Sequence, residues 1–257
     1  MARHAFYRSR SVRAVAAFVL GLKPDPRRPD LAHLSRHRDT ADGPIQRDEA
    51  LFLHGLVRVV RPQTVVEIGF FRGASAFNFL RALDLDARLY SFDVDPACEE
   101  WARANFGHDP RLIVQTRSQT ELTLDDLDGR LADFVFLDAS HDLSLNKATF
   151  DRLTPMMAAD AILAVHDTGT IPREFLPQGH YFFNSPMGWI GDRREVEPDE
   201  RGFVNWVLDS HPEFSQIHLH SSRVLRCGIT LLQRSAPLAR SSAMTAAESP
   251  VQPGSAP

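Results

Sequence analysis

Five short apolar runs recur along the chain, and segments with helical spacing of their apolar residues separate them. The runs are TVVEI (64–68), ARLYSFDVD (87–95), RLIVQ (111–115), ADFVFLD (132–138) and AILAVHD (161–167). Such runs are typical of strands that helices cover on both faces, which is the arrangement of a parallel sheet. With two closing strands near QIHLH and CGITLLQR, the pattern predicts an α/β fold with a doubly wound, mostly parallel seven-stranded sheet.

The chain is long enough for one sizeable core, since 43% of its 257 residues are hydrophobic. We expect that core at residues 45–234. Residues 1–44 predict a basic N-terminal helical extension, because seven of the first 30 residues are Arg or Lys and an apolar stretch lies among them. No small-residue cleavage site follows that stretch, which argues against a secretion signal. Residues 235–257 are rich in Ala, Ser and Pro and predict a disordered tail.

Composition narrows the class of partner. A net charge of −4 gives no global reason to expect nucleic acid. The two cysteines, Cys98 and Cys227, lack metal-site spacing and do not suggest a disulfide framework, so we expect a cytoplasmic protein. No run approaches 18 apolar residues, so no transmembrane segment is expected. The expected partner is a small molecule, and a homo-oligomer stays open.

Polar residues stand where the predicted strands end. In parallel sheets of this kind, ligands bind at the carboxyl ends of the strands, near the point where strand order reverses. The residues that we expect there are Glu67, Gly69, Asp93, Ser118, Gln119, Asp138, His166 and Asp167. The sequence therefore predicts one ligand site at this edge of the sheet.

The turn EIGFFRGAS (67–75) restricts the ligand. A dinucleotide fingerprint G-x-G-x-x-G that starts at Gly69 would need glycine at position 71, which is Phe71. Glu67 would also repel a phosphate, by roughly 1 to 4 kcal/mol at a separation of about 4 Å. The turn thus favours a ligand with a positive group and no phosphate, and S-adenosylmethionine has that chemistry.

Each part of that cofactor has a candidate partner. We expect Gly69 and Gly73 to keep the backbone bare beside the ligand, and Glu67 to supply negative potential toward the ammonium, directly or through water. Ser75 and the first amides of the next helix can receive the carboxylate. Asp93 follows Gly69 by 24 residues at the end of the second strand, where an acid accepts the ribose hydroxyls.

Five blocks in order carry a family resemblance: EIGFFRGAS, FDVDP (92–96), RSQ (117–119), FLDASH (136–141) and HDTG (166–169). With them the chain resembles the class I S-adenosylmethionine-dependent methyltransferases, in the small-molecule branch of catechol O-methyltransferase and methyltransferase domain family 24. The resemblance implies a Rossmann-like methyltransferase fold and a role for each matching position. The methionine portion would contact Glu67, Gly69, Phe71, Gly73 and Ser75; the ribose would contact Asp93; and adenine would contact Ser118 and Gln119.

The resemblance also implies a metal. Asp138 matches an acid that touches both cofactor and metal, and Asp167 matches a second metal-binding acid; carboxylates suit Mg²⁺ or Mn²⁺. Where the catechol type has an Asp-Asn pair, this chain has His166-Asp167. If His166 coordinates, the set favours Mn²⁺, Fe²⁺ or Zn²⁺. If its ring points into the fold, only two protein ligands remain and the site can lack a metal.

A base must take the proton of the hydroxyl that is methylated. His141 stands where the catechol type has a catalytic lysine, and an imidazole suits proton transfer near neutral pH. The alternatives are that His141 only anchors its loop, or that the neighbouring Asp142 is the base. The aromatic, glycine-containing stretch at 179–192 is a candidate substrate lid, or else a packed loop or a dimer contact.

The sequence thus predicts a methyltransferase that acts on a hydroxyl of a small metabolite, with catalytic roles for His141 and Asp138. Three other functions stay open at this point. They are a nicotinamide-dependent oxidoreductase, an iron-dependent tailoring enzyme in which His166 reflects the metal, and a cofactor-binding module without turnover.

Overall fold

A computed structural model describes residues 45–107, 109–169, 171–172, 195–196, 199–220 and 228–235. The N-terminal extension, the candidate lid, Cys227 and the tail from residue 236 lie outside these ranges, so their predictions stay predictions. Within the described ranges, no helix is both long and apolar enough to cross a lipid bilayer.

Seven strands form the main sheet, as the sequence predicts. They are β1 (Thr64–Ile68), β2 (Arg88–Asp93), β3 (Leu112–Thr116), β4 (Ala132–Leu137), β5 (Met157–Val165), β8 (Phe214–His220) and β9 (Gly228–Arg234). Their order is β3-β2-β1-β4-β5-β9-β8, and the first five are parallel. β9 runs antiparallel to both of its neighbours. The strand order reverses between β1 and β4, which is where a ligand site is expected.

Five α-helices in the described ranges cover this sheet. They are α1 (Arg47–Val60), α2 (Ala74–Ala82), α3 (Ala97–Phe106), α4 (Leu143–Leu153) and α5 (Asp199–Ser210). Apolar side chains of α1, α2 and α3 pack in one core on one face of the sheet. Those of α4 and α5 pack in a second core on the other face. The sheet is therefore covered on both faces, as the long apolar runs of its strands require.

Several strand boundaries differ from the prediction, and the structure explains two of the differences. β5 begins at Met157 rather than at 161, because Met157 pairs with Ala132 across a register shift that periodicity does not reveal. β2 ends at Asp93 rather than at 95, because the Asp93 side chain accepts a hydrogen bond from the amide of Asp95 and turns the chain. Between β5 and α5, the short strands β6 (Ile171–Pro172) and β7 (Glu195–Val196) pair with each other.

Candidate active site

A cavity of about 440 Å³ opens at the carboxyl ends of β1, β2 and β4. Its volume suits a small ligand or cofactor. Eight of the predicted site residues line it, namely Gly69, Phe71, Ser75, Asp93, Ser118, Gln119, Asp138 and His141. Glu67, Gly73, His166 and Asp167 are not among the lining residues; the structure places them outside the cavity wall.

The two glycines of the turn are needed mainly for packing. Gly69 has a φ of 101°, and a Cβ on it would lie 2.0 Å from the carbonyl oxygen of Asp138. Gly73 has a φ of 70°, and a Cβ there would lie 2.6 to 2.8 Å from the rings of Phe106 and Phe70. Of the two, only Gly69 lines the cavity, so only Gly69 is placed to let a ligand approach the backbone closely.

Asp93 is fixed at the cavity wall by the backbone of two turns. Its Oδ2 accepts a hydrogen bond of 2.8 Å from the amide of Phe71, and its Oδ1 accepts one of 3.0 Å from the amide of Asp95. Phe71 adopts a φ of 47°, which aims its amide at the carboxylate while its ring stays exposed. Each carboxylate oxygen keeps a further lone pair, so Asp93 can still accept hydroxyl groups of a ligand.

Glu67 lies next to Ser75 and Ser91 and is fully buried. The pKa of Glu67 is raised to about 8, chiefly by burial and further by the acids Asp138 and Asp93, while hydrogen bonds from Ser75 and Ser91 oppose the rise. Ser91 Oγ donates to Oε2, whereas Oε1 is buried and has no hydrogen-bond partner among the residues that the structure describes. The negative potential that the sequence predicts is therefore small at neutral pH until a nearby cation favours the carboxylate.

The residues expected at adenine are held by neighbouring side chains. The Gln119 Nε2 donates a hydrogen bond of 2.6 Å to Oγ1 of Thr149, which fixes the direction of its amide. Ser118 shares a hydrogen bond of 3.0 Å with Thr120. Both line the same cavity as Asp93. Their role at the adenine stays a prediction.

The predicted metal ligands come together, but His166 is already engaged. Ligand atoms of Asp138, His166 and Asp167 lie within 4.8 Å of one another. The Nδ1 of His166 lies 3.0 Å from Oδ1 of Asp138, and its Nε2 lies 2.9 Å from Oε2 of Glu49. Burial lowers the pKa of His166, but Asp138, Glu49 and Asp167 outweigh it and raise the pKa well above its usual value.

An imidazolium that donates from both nitrogens has no lone pair for a metal. His166 is also only 2% exposed, so its ring points into the fold, which is the alternative that leaves two protein ligands. The three-ligand set therefore does not fit a divalent cation in this arrangement. Asp138 and Asp167 remain as two carboxylates, and burial raises the pKa of Asp138.

Glu49 is a site residue that the sequence analysis missed. It is the third residue of α1 and accepts the amide of Gln46 at 2.7 Å, which closes a capping box at the helix start. The spacing Gln46-x-x-Glu49 could have indicated that cap. Nothing in it could indicate the bond to His166, which lies 117 residues away.

His141 lines the cavity, and its Nδ1 contacts the carboxylate of Glu200 in the first turn of α5. Glu200 is buried and was also missed, because 59 residues separate it from His141. Ligand atoms of His141, Glu200 and Asp167 lie within 4.8 Å of one another. Asp142, the alternative base, instead caps α4 by accepting the amide of Leu145 at 2.7 Å.

Known methyltransferases are similar to this chain in sequence. Residues 66–168 match a family model described as a methyltransferase domain, Methyltransf_24. The tapetum-specific methyltransferase 1 of Arabidopsis thaliana is 27% identical over 218 residues, which are 79% of this chain and 83% of the relative.

Two solved structures share the fold. Cofactor-bound Rv0187 from MTB has a TM-score of 0.59 at 22% identity and covers 87% of this chain and 96% of its own. An O-methyltransferase from Bacillus cereus in complex with SAH has a TM-score of 0.55 at 19% identity, over 87% and 97%. Residues 66–168 thus match a methyltransferase domain, and by this match, its curated relative and its seven-stranded fold the chain resembles the S-adenosylmethionine-dependent methyltransferases.

Proposed function

We propose that this protein transfers a methyl group from S-adenosylmethionine to a hydroxyl of a small metabolite. One observation carries the proposal: a single cavity is lined by Asp93, by Asp138 and by His141. It thus joins a residue suited to hold a ribose with residues suited to act on an acceptor hydroxyl. The name of the Bacillus cereus structure, an O-methyltransferase, supports the same reaction class.

Cofactor binding follows from the residues on the cavity wall. Asp93 accepts the ribose hydroxyls with the lone pairs that the backbone amides leave, and Ser118 and Gln119 flank the adenine. Gly69, Phe71 and Ser75 surround the methionine portion. The buried Oε1 of Glu67, for which the described part of the chain offers no hydrogen-bond partner, is the kind of atom that a nearby ammonium or a bridging water would satisfy.

The transfer is an in-line displacement. His141 accepts the proton of the acceptor hydroxyl, and the oxygen attacks the methyl carbon from about 3 Å. The carbon–sulfur bond breaks, its electron pair stays on sulfur, and S-adenosylhomocysteine leaves. Asp138 orients the acceptor or the cofactor from the tip of β4, where His166 and the backbone fix it; its amide donates to the carbonyl of Ile68 at 2.9 Å.

No step of this proposal uses a metal, because both ring nitrogens of His166, the expected third ligand, already contact the carboxylates of Asp138 and Glu49. A phenolic, sugar or polyketide hydroxyl would suit as the acceptor. Apolar side chains on the cavity wall, Ile45, Phe70 and Leu145, favour an acceptor with an apolar surface beside that hydroxyl.

The test uses the purified full chain, methyl-labelled S-adenosylmethionine and a panel of hydroxylated metabolites, with and without a chelator. Label on the oxygen of an acceptor supports the proposal, and the chelator arm reports whether a metal takes part. Tight binding of NADH without binding of S-adenosylmethionine would favour an oxidoreductase instead. Turnover that requires Fe²⁺ and oxygen would favour the iron-dependent tailoring enzyme.

A further inference from the structure

We propose that Glu200 is a positioning residue for His141, which fixes the imidazole so that its Nε2 serves as the proton acceptor. The inference deepens the proposed function and rests on it. No sequence motif points to Glu200. The assignment comes from the contact between its carboxylate and the Nδ1 of His141 at the wall of the cofactor cavity.

The chemistry follows from which nitrogen meets the carboxylate. A carboxylate only accepts hydrogen bonds, so the Nδ1 beside it carries the proton and the Nε2 carries the lone pair. A neutral imidazole in this tautomer accepts a proton only at Nε2. The contact therefore selects the form of His141 that a general base needs.

The same contact stabilises the charge that forms during proton transfer. Once Nε2 takes the proton, the imidazolium faces the Glu200 carboxylate on α5 and lies near Asp167, which follows β5. Asp138, directly after β4, adds a third acidic group that interacts electrostatically with His141. Three acids from three elements thus surround one imidazole, and among them Glu200 contacts its Nδ1.

Glu200 is held rigidly enough for this role. Phe203, Val204 and Val207 of the same helix are fully buried in the core that α5 shares with α4. Only 5% of the Glu200 side chain is exposed, whereas 26% of His141 is. The helix thus presents a buried carboxylate to a histidine that still reaches the cavity. A carboxylate in the first turn of a helix is further stabilised by the helix dipole.

The chain contains a matched control pair. His211 and Glu213 also form a His–Glu contact, at 3.6 Å, but Glu213 is 48% exposed and neither residue lines the cavity. Glu213→Gln therefore removes an equivalent charge beside a histidine without touching the proposed base.

The kinetic test compares Glu200→Gln with Glu213→Gln across pH, using the acceptor found by label transfer. Glu200→Gln should lower kcat by about 10-fold or more, a part of the roughly 10²- to 10⁴-fold that general-base assistance supplies, and leave the affinity for S-adenosylmethionine unchanged. The acid limb of its pH profile should move to lower pH, because the imidazolium loses a stabilising charge. Glu213→Gln should match the wild type. An unmoved limb or an unchanged kcat would overturn the proposal.

A second readout does not need turnover. ¹⁵N NMR of histidine side chains, with His141 assigned by loss of its signals in His141→Asn, should show the Nδ1–H tautomer in the wild type at alkaline pH. Glu200→Ala should shift His141 toward the Nε2–H tautomer. A wild-type His141 in the Nε2–H form contradicts the inference even if methyl transfer occurs. The expected tautomer in a protein that methylates no acceptor would refute the proposed function alone.

The rival explanation is that His141, Asp167 and Glu200 hold a divalent cation. Calorimetric titration of the ligand-free protein with Mn²⁺ alone, and with Zn²⁺ alone, separates the two. Binding that Glu200→Gln abolishes, together with loss of activity in chelator, would overturn the positioning role. The absence of such binding, with the shifted acid limb, would support it.

Discussion

Replacing Glu67 by glutamine should change how the stability of the ligand-free protein depends on pH. The folded state raises the pKa of Glu67 from 4.5 to about 8, chiefly because the side chain is fully buried. Between those two values the folded protein holds a proton that the unfolded chain has released. Stability must therefore fall as pH rises through this window, and full stability is present only below about pH 4.5.

The magnitude follows from the width of the window. Each unit of difference corresponds to about 1.4 kcal/mol, so a rise from 4.5 to about 8 gives an upper limit of about 5 kcal/mol at alkaline pH. Relaxation around the charge reduces this limit, and we expect Glu67→Gln to be about 2 to 3 kcal/mol more stable than the wild type at pH 8. At pH 5 the two proteins should be close to equal, since the amide of the variant keeps an oxygen that can accept the hydrogen bond from Ser91.

Urea denaturation at half-unit steps from pH 5 to pH 8 measures this difference. Glu100→Gln is the control, because Glu100 is exposed on α3 and its replacement should leave the curve parallel to the wild type. If the free energies of unfolding of Glu67→Gln and wild type differ by a constant at every pH, Glu67 does not titrate in this window. The account of a buried, protonated acid behind the cofactor turn would then be wrong.

Three further predictions concern the same site. Asp93→Ala should weaken S-adenosylmethionine binding by about 1.5 to 3 kcal/mol, the range for hydrogen bonds to a charged group, as measured by calorimetry; unchanged affinity would mean that the ribose lies elsewhere. Gly73→Ala should destabilise the protein by about 2 to 4 kcal/mol in urea, through a left-handed backbone and overlap with Phe106 and Phe70; a stable variant would contradict the packing role. Chelator should leave methyl transfer unchanged, because His166 is engaged by Glu49 and Asp138; loss restored by Mg²⁺ or Mn²⁺ would refute this.

Many of the residues that line the cavity could be predicted from the sequence. The residues at the ends of β1, β2 and β4 follow closely, along the chain, on strands whose apolar runs can be recognised in the sequence. Asp93 and Asp138 reach one cavity because parallel strands end at the same edge of the sheet. The order of strands along the chain is enough to place such residues together.

The charge and the contacts of each side chain could not be predicted in this way. Glu67 was expected to carry a charge, but its burial raises its pKa to about 8. His166 was a candidate ligand, but both of its nitrogens meet carboxylates, one of them on a helix 117 residues earlier. Gly73 was assigned to the ligand, but its neighbours are aromatic rings of the core.

The sequence by itself determined the alternating α/β architecture, the edge of the sheet where the cavity lies and the resemblance to a family of methyltransferases. These depend on local periodicity and on spacing within short segments, which the linear order preserves. Only the tertiary structure decided that Glu49 binds His166 and that Glu200 meets His141. Such pairs depend on how helices pack across the sheet, and packing also sets the burial that determines which acids and imidazoles carry charge.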